Sequence, residues 1–353
     1  MTMKVAIITD LHFGARNDNQ AFLEFQEKFY TNTFFPALKE QGITTVLNLG
    51  DTWDRRKYIN FNTLKQVKSF FFDKLAENNM QMYMLAGNHD TYYKNTNDVN
   101  SPDLLLNQYD NVKIIDKPEV ITIDGTDIAM MPWICAENYA ESMDLINTTA
   151  APLCMGHFEI DGFTMHRGMT SHGGLDPSIF KRFDMVFTGH YHHRNNNGHI
   201  YYLGNPYELT WNDYNDPRGF HFFDTTTREL KFVMNPYTMF ERIEYNDETT
   251  DYDNFDFSKC TEKYLKVVVS KKSDFYKFDT FMNKVYNSDP YDVKIIEDFS
   301  EFKDGELDDS INLEDTMDVL SNYIDNVETT NVDKEKLKVF MKTLYTEAIN
   351  ITV

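Results

Sequence analysis

The 353-residue chain sets 34 Lys and Arg against 56 Asp and Glu, a formal charge of −22, with 41% hydrophobic and 15% aromatic residues. That composition buries a large core with room for two or three domains. It excludes a surface that grips nucleic acid by bulk positive charge, so any such contact must be local or supplied by a partner. Cys135, Cys154 and Cys260 are far apart and odd in number. They are expected to be reduced core residues of a cytoplasmic protein. Met1-Thr2-Met3-Lys4 leads straight into a strand and does not read as a signal peptide. No apolar run approaches the roughly 20 residues that span a bilayer, so no membrane contact is expected.

In chain order, Val5–Thr9 reads as a short buried strand that delivers Asp10 and His12. A helix is expected from Ala21 to Glu40, with Phe22, Phe25 and Phe29 on one face, a kink at Pro36 and an end at Gly42. Thr45–Leu49 is a second strand, closing on Gly50-Asp51 with Asp54 beyond it. Arg55, Arg56 and Lys57 then form a basic cluster close to a carboxylate, read as phosphate-binding. A helix over Phe61–Asn78 carries the stripe Phe61, Leu64, Val67, Phe71 and Leu75; with Phe70-Phe71-Phe72 it is apolar on more than one side, which fits deep core or a subunit interface, and the stripe is the candidate homodimer surface. The apolar run Met80–Leu85 is a third strand, ending in Gly87-Asn88-His89-Asp90.

Strands near Val112–Ile115, Val120–Ile123 and Asp127–Met131 follow, with Asp124-Gly125 as a hairpin turn. Pro152–Gly156 delivers His157, and Phe183–Thr188 delivers His190 and His192. His166, His172, His193 and His199 read as loop or surface residues. Gly219–Asp224 and Leu230–Val233 read as the edge of a second sheet. The α/β pattern stops near residue 235, which bounds a first domain at 1–235. A small α+β unit follows over 236–296, built from strand Tyr264–Ser270, helix Asp274–Asn287 and strand Val293–Ile296. An acidic linker spans 297–311, and two helices fill 312–353. Leu313, Met317, Leu320, Ile324 and Val327, then Leu337, Met341, Leu344 and Ala348, repeat at heptad spacing, a seam able to pack on other helices.

Five strands thus end in Asp10/His12, Asp51, Asn88/His89, His157 and His190/His192. Alternating strand and helix gives an α/β fold with its site at the strand ends. Mixed imidazole and carboxylate donors suit Mn, Fe or Zn better than Mg or Ca. So many ligands fit two cations sharing a carboxylate, the arrangement used in phosphoryl transfer.

Asp10-x-His12, Gly50-Asp51-x-x-Asp54-Arg55, Gly87-Asn88-His89-Asp90, Gly156-His157 and Gly189-His190-x-His192 together resemble the calcineurin-like metallophosphoesterases. Within them the chain is most similar to SbcD-type nuclease subunits, in the form carried by T-even-like bacteriophages. Tyr202-Leu203-Gly204-Asn205-Pro206 and Asn215–Phe220 sit where that family has a Gly-Ser/Thr-Pro loop and the strand after it, although Asn205 replaces the usual Ser or Thr. The resemblance implies a layered β-sandwich flanked by helices, a small α+β capping domain and C-terminal helices. It implies one metal on Asp10, His12 and His192 and another on Asn88, His157 and His190, with Asp51 bridging. It makes His89 the acid for the leaving oxygen, and Asp54, where many relatives carry a second histidine, a residue able to orient His89. It further implies a Mn-dependent 3′→5′ exonuclease and single-strand endonuclease acting on DNA, a homodimer, and an SbcC-type SMC-like ATPase partner gripped by the terminal helices. Two other readings compete. One is another phosphoesterase such as a protein phosphatase, which Asp51–Arg56 also resembles. The other is a scaffold that has lost catalysis, which the full ligand set argues against.

Overall fold

Short buried runs between amphipathic stretches form β1 (Lys4–Ile8), β2 (Thr45–Asn48), β3 (Gln81–Leu85), β4 (Val112–Ile115), β5 (Glu119–Ile123), β6 (Thr126–Met131) and β7 (Leu153–His157). A small ribbon of β8 (Thr164–His166) and β9 (Met169–Thr170) follows. Then come β10 (Met185–Gly189), β11 (Asn195–Asn196), β12 (Ile200–Tyr202), β13 (Gly219–Asp224) and β14 (Leu230–Met234). This computed structural model describes residues 4–166, 169–297, 334 and 337–338. The two helices expected over 312–353, apart from residues 334 and 337–338, and the acidic stretch beyond residue 297 lie outside the described residues.

The strands build two six-stranded sheets of mixed direction. The first has the order β14-β13-β1-β2-β3-β4, with β1 to β4 parallel and β13 and β14 antiparallel. The second has the order β11-β12-β10-β7-β6-β5, with β12, β10, β7 and β6 parallel. Val5, Ile7, Leu47 and Leu85 of the first sheet share one core with Met130, Leu153, Met155 and Phe187 of the second. The two sheets therefore pack face to face as a sandwich. β13 and β14 do not edge the second sheet, as their position in the sequence suggested. They complete the first, with every residue of β13 buried.

Helices cover the outer faces. Gln20–Phe29 runs through a π-helical turn, Tyr30–Phe34, into Phe35–Gln41, and Gly42 ends it in the left-handed conformation. The π turn sits just before Pro36, whose ring and missing N–H disturb the regular ladder. A second π turn, Lys68–Phe72, interrupts Phe61–Glu77 and contains no proline. Its wider winding turns Phe70, Phe71 and Phe72 all inward, which explains three consecutive apolar residues on one helix. Val67, Phe71 and Leu75 are fully buried within this chain, and only Phe61 of the expected homodimer stripe is well exposed. The stripe is core because Phe13, Tyr30, Phe34 and Phe35 pack against Phe71.

Beyond the sandwich, β15 (Phe240–Asn246), β16 (Tyr264–Lys271) and β17 (Asp292–Glu297) form a parallel three-stranded sheet with the helix Phe275–Tyr286 between β16 and β17. β15 was not read from the sequence, although Ile243 and Tyr245 alternate with exposed neighbours. Its start is pinned by the buried Glu208, whose Oε2 accepts the backbone N–H groups of Met239 and Phe240 at 2.6 and 2.9 Å. Phe22 packs on Phe240 and Tyr264 across the same junction. All three cysteines are free and buried.

The aromatic packing around Phe71 sets a test. Phe71→Ala is expected to cost about 3–5 kcal/mol of folding stability. Phe61→Ser, at a side chain 84% exposed, should stay within about 0.5 kcal/mol. Urea unfolding of the two variants reads the difference; equally small losses would move the stripe to the surface.

Candidate metal centre

β1, β2, β3, β7 and β10 bring their carboxyl ends to one rim of the sandwich, three from one sheet and two from the other. The residues just past those ends fold back sharply. Asp10, His12, Asp51 and His190 all have positive φ, at 55, 43, 53 and 85°, a sparsely populated region held only where surroundings enforce it. The enforcement is visible in the backbone. Asp10 N, His12 N and Phe13 N donate to Gly50 O, Asp51 O and Thr52 O at 3.0, 3.1 and 2.9 Å, lacing the two loops together. Asp90 Oδ1 accepts from Thr52 N and Trp53 N, and its Oδ2 accepts from Gly87 N at 2.9 Å. A Cβ on Gly87 would overlap the backbone N and Oδ1 of Asp51, so only glycine fits there.

Two groups of donors result. Asp10, His12 and His192 place ligand atoms within 4.8 Å of one another, and so do Asp51, His157 and His190. His12 Nε2 and His192 Nε2 stand 3.0 Å apart. Asn88 Oδ1 lies 3.0 Å from His157 Nε2 and 2.9 Å from His190 Nδ1. Asp51 Oδ2 lies between the groups, 3.2 Å from His157 Nε2 and 3.9 Å from His12 Nε2. Imidazole nitrogens and carboxylate oxygens converging from mostly buried side chains fit two divalent cations. Neighbouring groups hold the ligands in place. His157 Nδ1 donates to Leu49 O at 2.7 Å, Thr9 Oγ1 donates to Asp10 Oδ2 at 2.8 Å, and His190 N donates to both Asp10 oxygens.

His89 stands at the mouth. Its N–H donates to Asp51 Oδ1 at 2.8 Å, and its Nδ1 meets the backbone carbonyl of Asp54 at 2.7 Å. The expected carboxylate contact is not made. The Asp54 side chain instead faces His12 Nδ1 at 3.5 Å, so its carboxylate orients a candidate ligand and its carbonyl orients His89. Arg55 is engaged by Asp18 at 2.9 Å and by Asn17 at 2.6 Å. Arg56 is half-buried and Lys57 exposed on the same loop.

The sequence marks Asn205 and the run Asn215–Phe220 but assigns no role to the network around Arg218. Arg218, 5% exposed, donates to the carbonyl of His192 and to Asn205 Oδ1, and pairs with Asp213 at 2.9 Å and Asp216 at 2.7 Å. His193 Nδ1 also meets Asp216, at 2.8 Å. This buried network fixes the loop that carries His190 and His192. Its only sequence signal is the Asp-Pro-Arg-Gly run after an Asn-Pro loop.

The charges are strongly coupled. Burial works against a charged His157, yet Asp51 beside it pushes the imidazole up to about 9. His12 also rises to about 9, burial being outweighed by Asp54, Asp51 and Asp10. Burial and the His157 charge hold His190 down to about 3, and burial with the His12 charge holds His192 well below its ordinary value. Asp51 is held well below the usual carboxylate range; burial opposes this, but His157 and His89 prevail.

A chain of 353 residues with this rim resembles known proteins. A family model of calcineurin-like phosphoesterases matches residues 3–217. The chain is 31% identical over 348 residues to exonuclease subunit 1 of Enterobacteria phage T4, covering 98% of this chain and 99% of that one. It is 25% identical over 359 residues to the DNA double-strand break repair protein Mre11 of Methanocaldococcus jannaschii, covering 94% and 86%.

The raised histidines fix the sign of a pH effect. With folded values about 9, His12 and His157 keep their protons at neutral pH unless a cation displaces them. Metal binding at pH 7.5 should therefore release protons, and apparent affinity should rise from pH 7 to pH 9. Calorimetric titration in buffers of different ionisation enthalpy counts those protons; a count of zero would remove both histidines from the ligand set.

Proposed function

The chain belongs to the calcineurin-like phosphoesterase family, and on that premise we propose that it is the two-metal nuclease subunit of a complex that processes DNA ends. It is a metal-dependent phosphodiesterase by family. The finer reading is 3′→5′ exonuclease and single-strand endonuclease activity, with Mn as the working metal and an SbcC-type SMC-like ATPase as partner. The observation that carries it is the Asp51 Oδ2 position between His12 and His157, where one carboxylate joins two donor groups. Its likeness to a protein called an exonuclease subunit supports both the substrate and the presence of a partner.

In this reading Asp10, His12 and His192 would hold one cation and Asn88, His157 and His190 the other, with the Asp51 carboxylate placed to serve both groups. Bound there, the cations would supply Lewis-acid stabilisation for charge developing on a phosphodiester. The chain's own residues do the rest. Since a carbonyl can only accept, the contact with Asp54 O keeps a proton on His89 Nδ1. That leaves Nε2 to carry the second proton of the imidazolium and give it to the leaving oxygen. The backbone bond from His89 N to Asp51 Oδ1 holds this acid at a fixed distance from the shared carboxylate. Asp54 acts through His12, and Arg218 through the backbone of His192. Arg56 and Lys57 offer charge to phosphates beside the mouth.

We read residues 1–235 as the nuclease domain, 236–296 as the capping domain, 297–311 as a linker and 312–353 as the helices that bind the ATPase. The homodimer rests on the resemblance alone, since the helix stripe offered for it lies in the core.

Asp51→Ala should abolish Mn-dependent cleavage of linear DNA. His89→Asn should still hold two metals by mass spectrometry while kcat falls roughly 10²–10⁴-fold. Near-normal cleavage by Asp51→Ala, or loss of metal from His89→Asn, would overturn the assignment.

A chain truncated after Ser310 should still digest DNA with Mn but no longer recover the ATPase in a pull-down. Recovery equal to that of the full chain would mean the terminal helices are not the tether.

A further inference from the structure

Beside the metal centre, two loops carry exposed aromatic rings interleaved with cations. Tyr58, Tyr92 and Tyr93 are 65, 40 and 50% exposed. Lys57 Nζ lies 5.8 Å from the centroid of the Tyr92 ring, and Arg55 Cζ 4.8 Å from that of Tyr58. Tyr93 stands edge-on to Tyr92, with centroids 4.7 Å apart at 73°.

The rings sit on fixed backbone. Tyr92 N donates to Val99 O at 2.9 Å, and Thr91 bridges Asn100. The Asp90 carboxylate and the His89–Asp54 contact join this loop to the one bearing Arg55, Lys57 and Tyr58. Tyr92 therefore lies three residues from His89, at the mouth where a scissile phosphate would enter. Elsewhere the chain is strongly acidic, −22 overall, so cations placed over aromatic faces at this mouth complement a polyanion with flat rings.

We propose that Tyr92, buttressed by Tyr93 and Lys57, is a stacking platform for an unpaired nucleobase next to the scissile phosphate, with Tyr58 and Arg55 as a second ring–cation pair on the neighbouring loop. This rests on the nuclease reading above. The physical reason is simple. A base inside a duplex already has both faces covered by its neighbours, so a protein ring gains contact only with a base that is frayed, flipped or single-stranded. Stacking is indifferent to base identity because every base has a π face. Such a platform would favour single strands and opened ends over intact duplex without reading sequence. It also lets an acidic protein hold DNA without a broad basic surface.

The test is binding, measured apart from cleavage. Full-length protein in calcium buffer is titrated by fluorescence anisotropy with three labelled probes: a single-stranded oligothymidylate, the same strand with abasic sites, and a blunt hairpin duplex. Tyr92→Ala/Tyr93→Ala should weaken the single strand about 5–100-fold, while Tyr92→Trp stays within about twofold. The abasic strand should bind the unaltered protein more weakly by a similar factor, and the double alanine variant should show no further loss on it. Duplex binding should change less than twofold. Equal weakening of all three probes, or none, would overturn the platform. Tight binding of the single strand with no Mn-dependent cleavage would instead overturn the nuclease reading and leave the platform standing. A chain that binds no probe overturns both.

Discussion

The buried carboxylate of Asp90 holds the rim together. It has no cation beside it among the described residues and is satisfied by backbone N–H groups of Thr52, Trp53 and Gly87. Those donors come from the loops after β2 and β3, so one side chain sets the spacing between Asp51 and the Asn88–His89 pair. Burial, with the nearby negative charge of Asp51, pushes Asp90 up to about 7. Positive charge brought into the centre would favour its ionised, fully accepting form. Folding of the loops and filling of the site are thereby linked through one group.

The same economy appears on the other sheet. β7 and β10 contribute His157, His190 and His192, and these face the β1–β3 ligands only because the two sheets share a core. A Cβ on Gly189 would overlap Thr9 Oγ1, so β10 can approach β1 closely only with glycine at its end. Strained backbone at Asp10, His12, Asp51 and His190 is the cost of aiming donors from five strands at one place. The cost is offset by the laced hydrogen bonds between loops and by the sandwich core behind them.

Much of this was legible in the sequence because a buried run that stops at glycine and polar residues marks a strand end by itself. Asp10, His12, Asp51, Asn88, His157, His190 and His192 could be collected that way, and the structure brings them together. What was not legible depends on pairing across distance. Nothing in the run Gly219–Asp224 says that it pairs antiparallel with β1. The stripe on Phe61–Glu77 looked unpartnered because its partners, Phe13, Tyr30 and Phe34, lie on other elements. Asp54 was expected to reach His89 through its side chain, yet the turn presents its carbonyl there and its carboxylate to His12. The role of Arg218, named only as part of the run Asn215–Phe220, was hidden for a related reason: an arginine shows its role only when Asp213, Asp216 and the His192 carbonyl surround it.

The charge of the chain ties these points together. At −22 the protein repels DNA at long range, and the rim itself contains Asp10, Asp51, Asp54 and Asp90. Without cations that cluster would reject a phosphodiester. Protons on His12 and His157 balance part of it, and divalent ions that displace them would bring the excess positive charge a phosphate needs. The centre therefore becomes attractive to its substrate only when filled, and attraction is then confined to the mouth rather than spread over the surface. Local contacts must supply the remaining affinity. On the stacking proposal the rings of Tyr58 and Tyr92 and the Lys57 ammonium, on the two loops beside His89, would do so, since stacking does not depend on net charge; Arg55 is already paired with Asp18. On the nuclease reading, a protein built in this way would hold DNA at the mouth and repel it elsewhere.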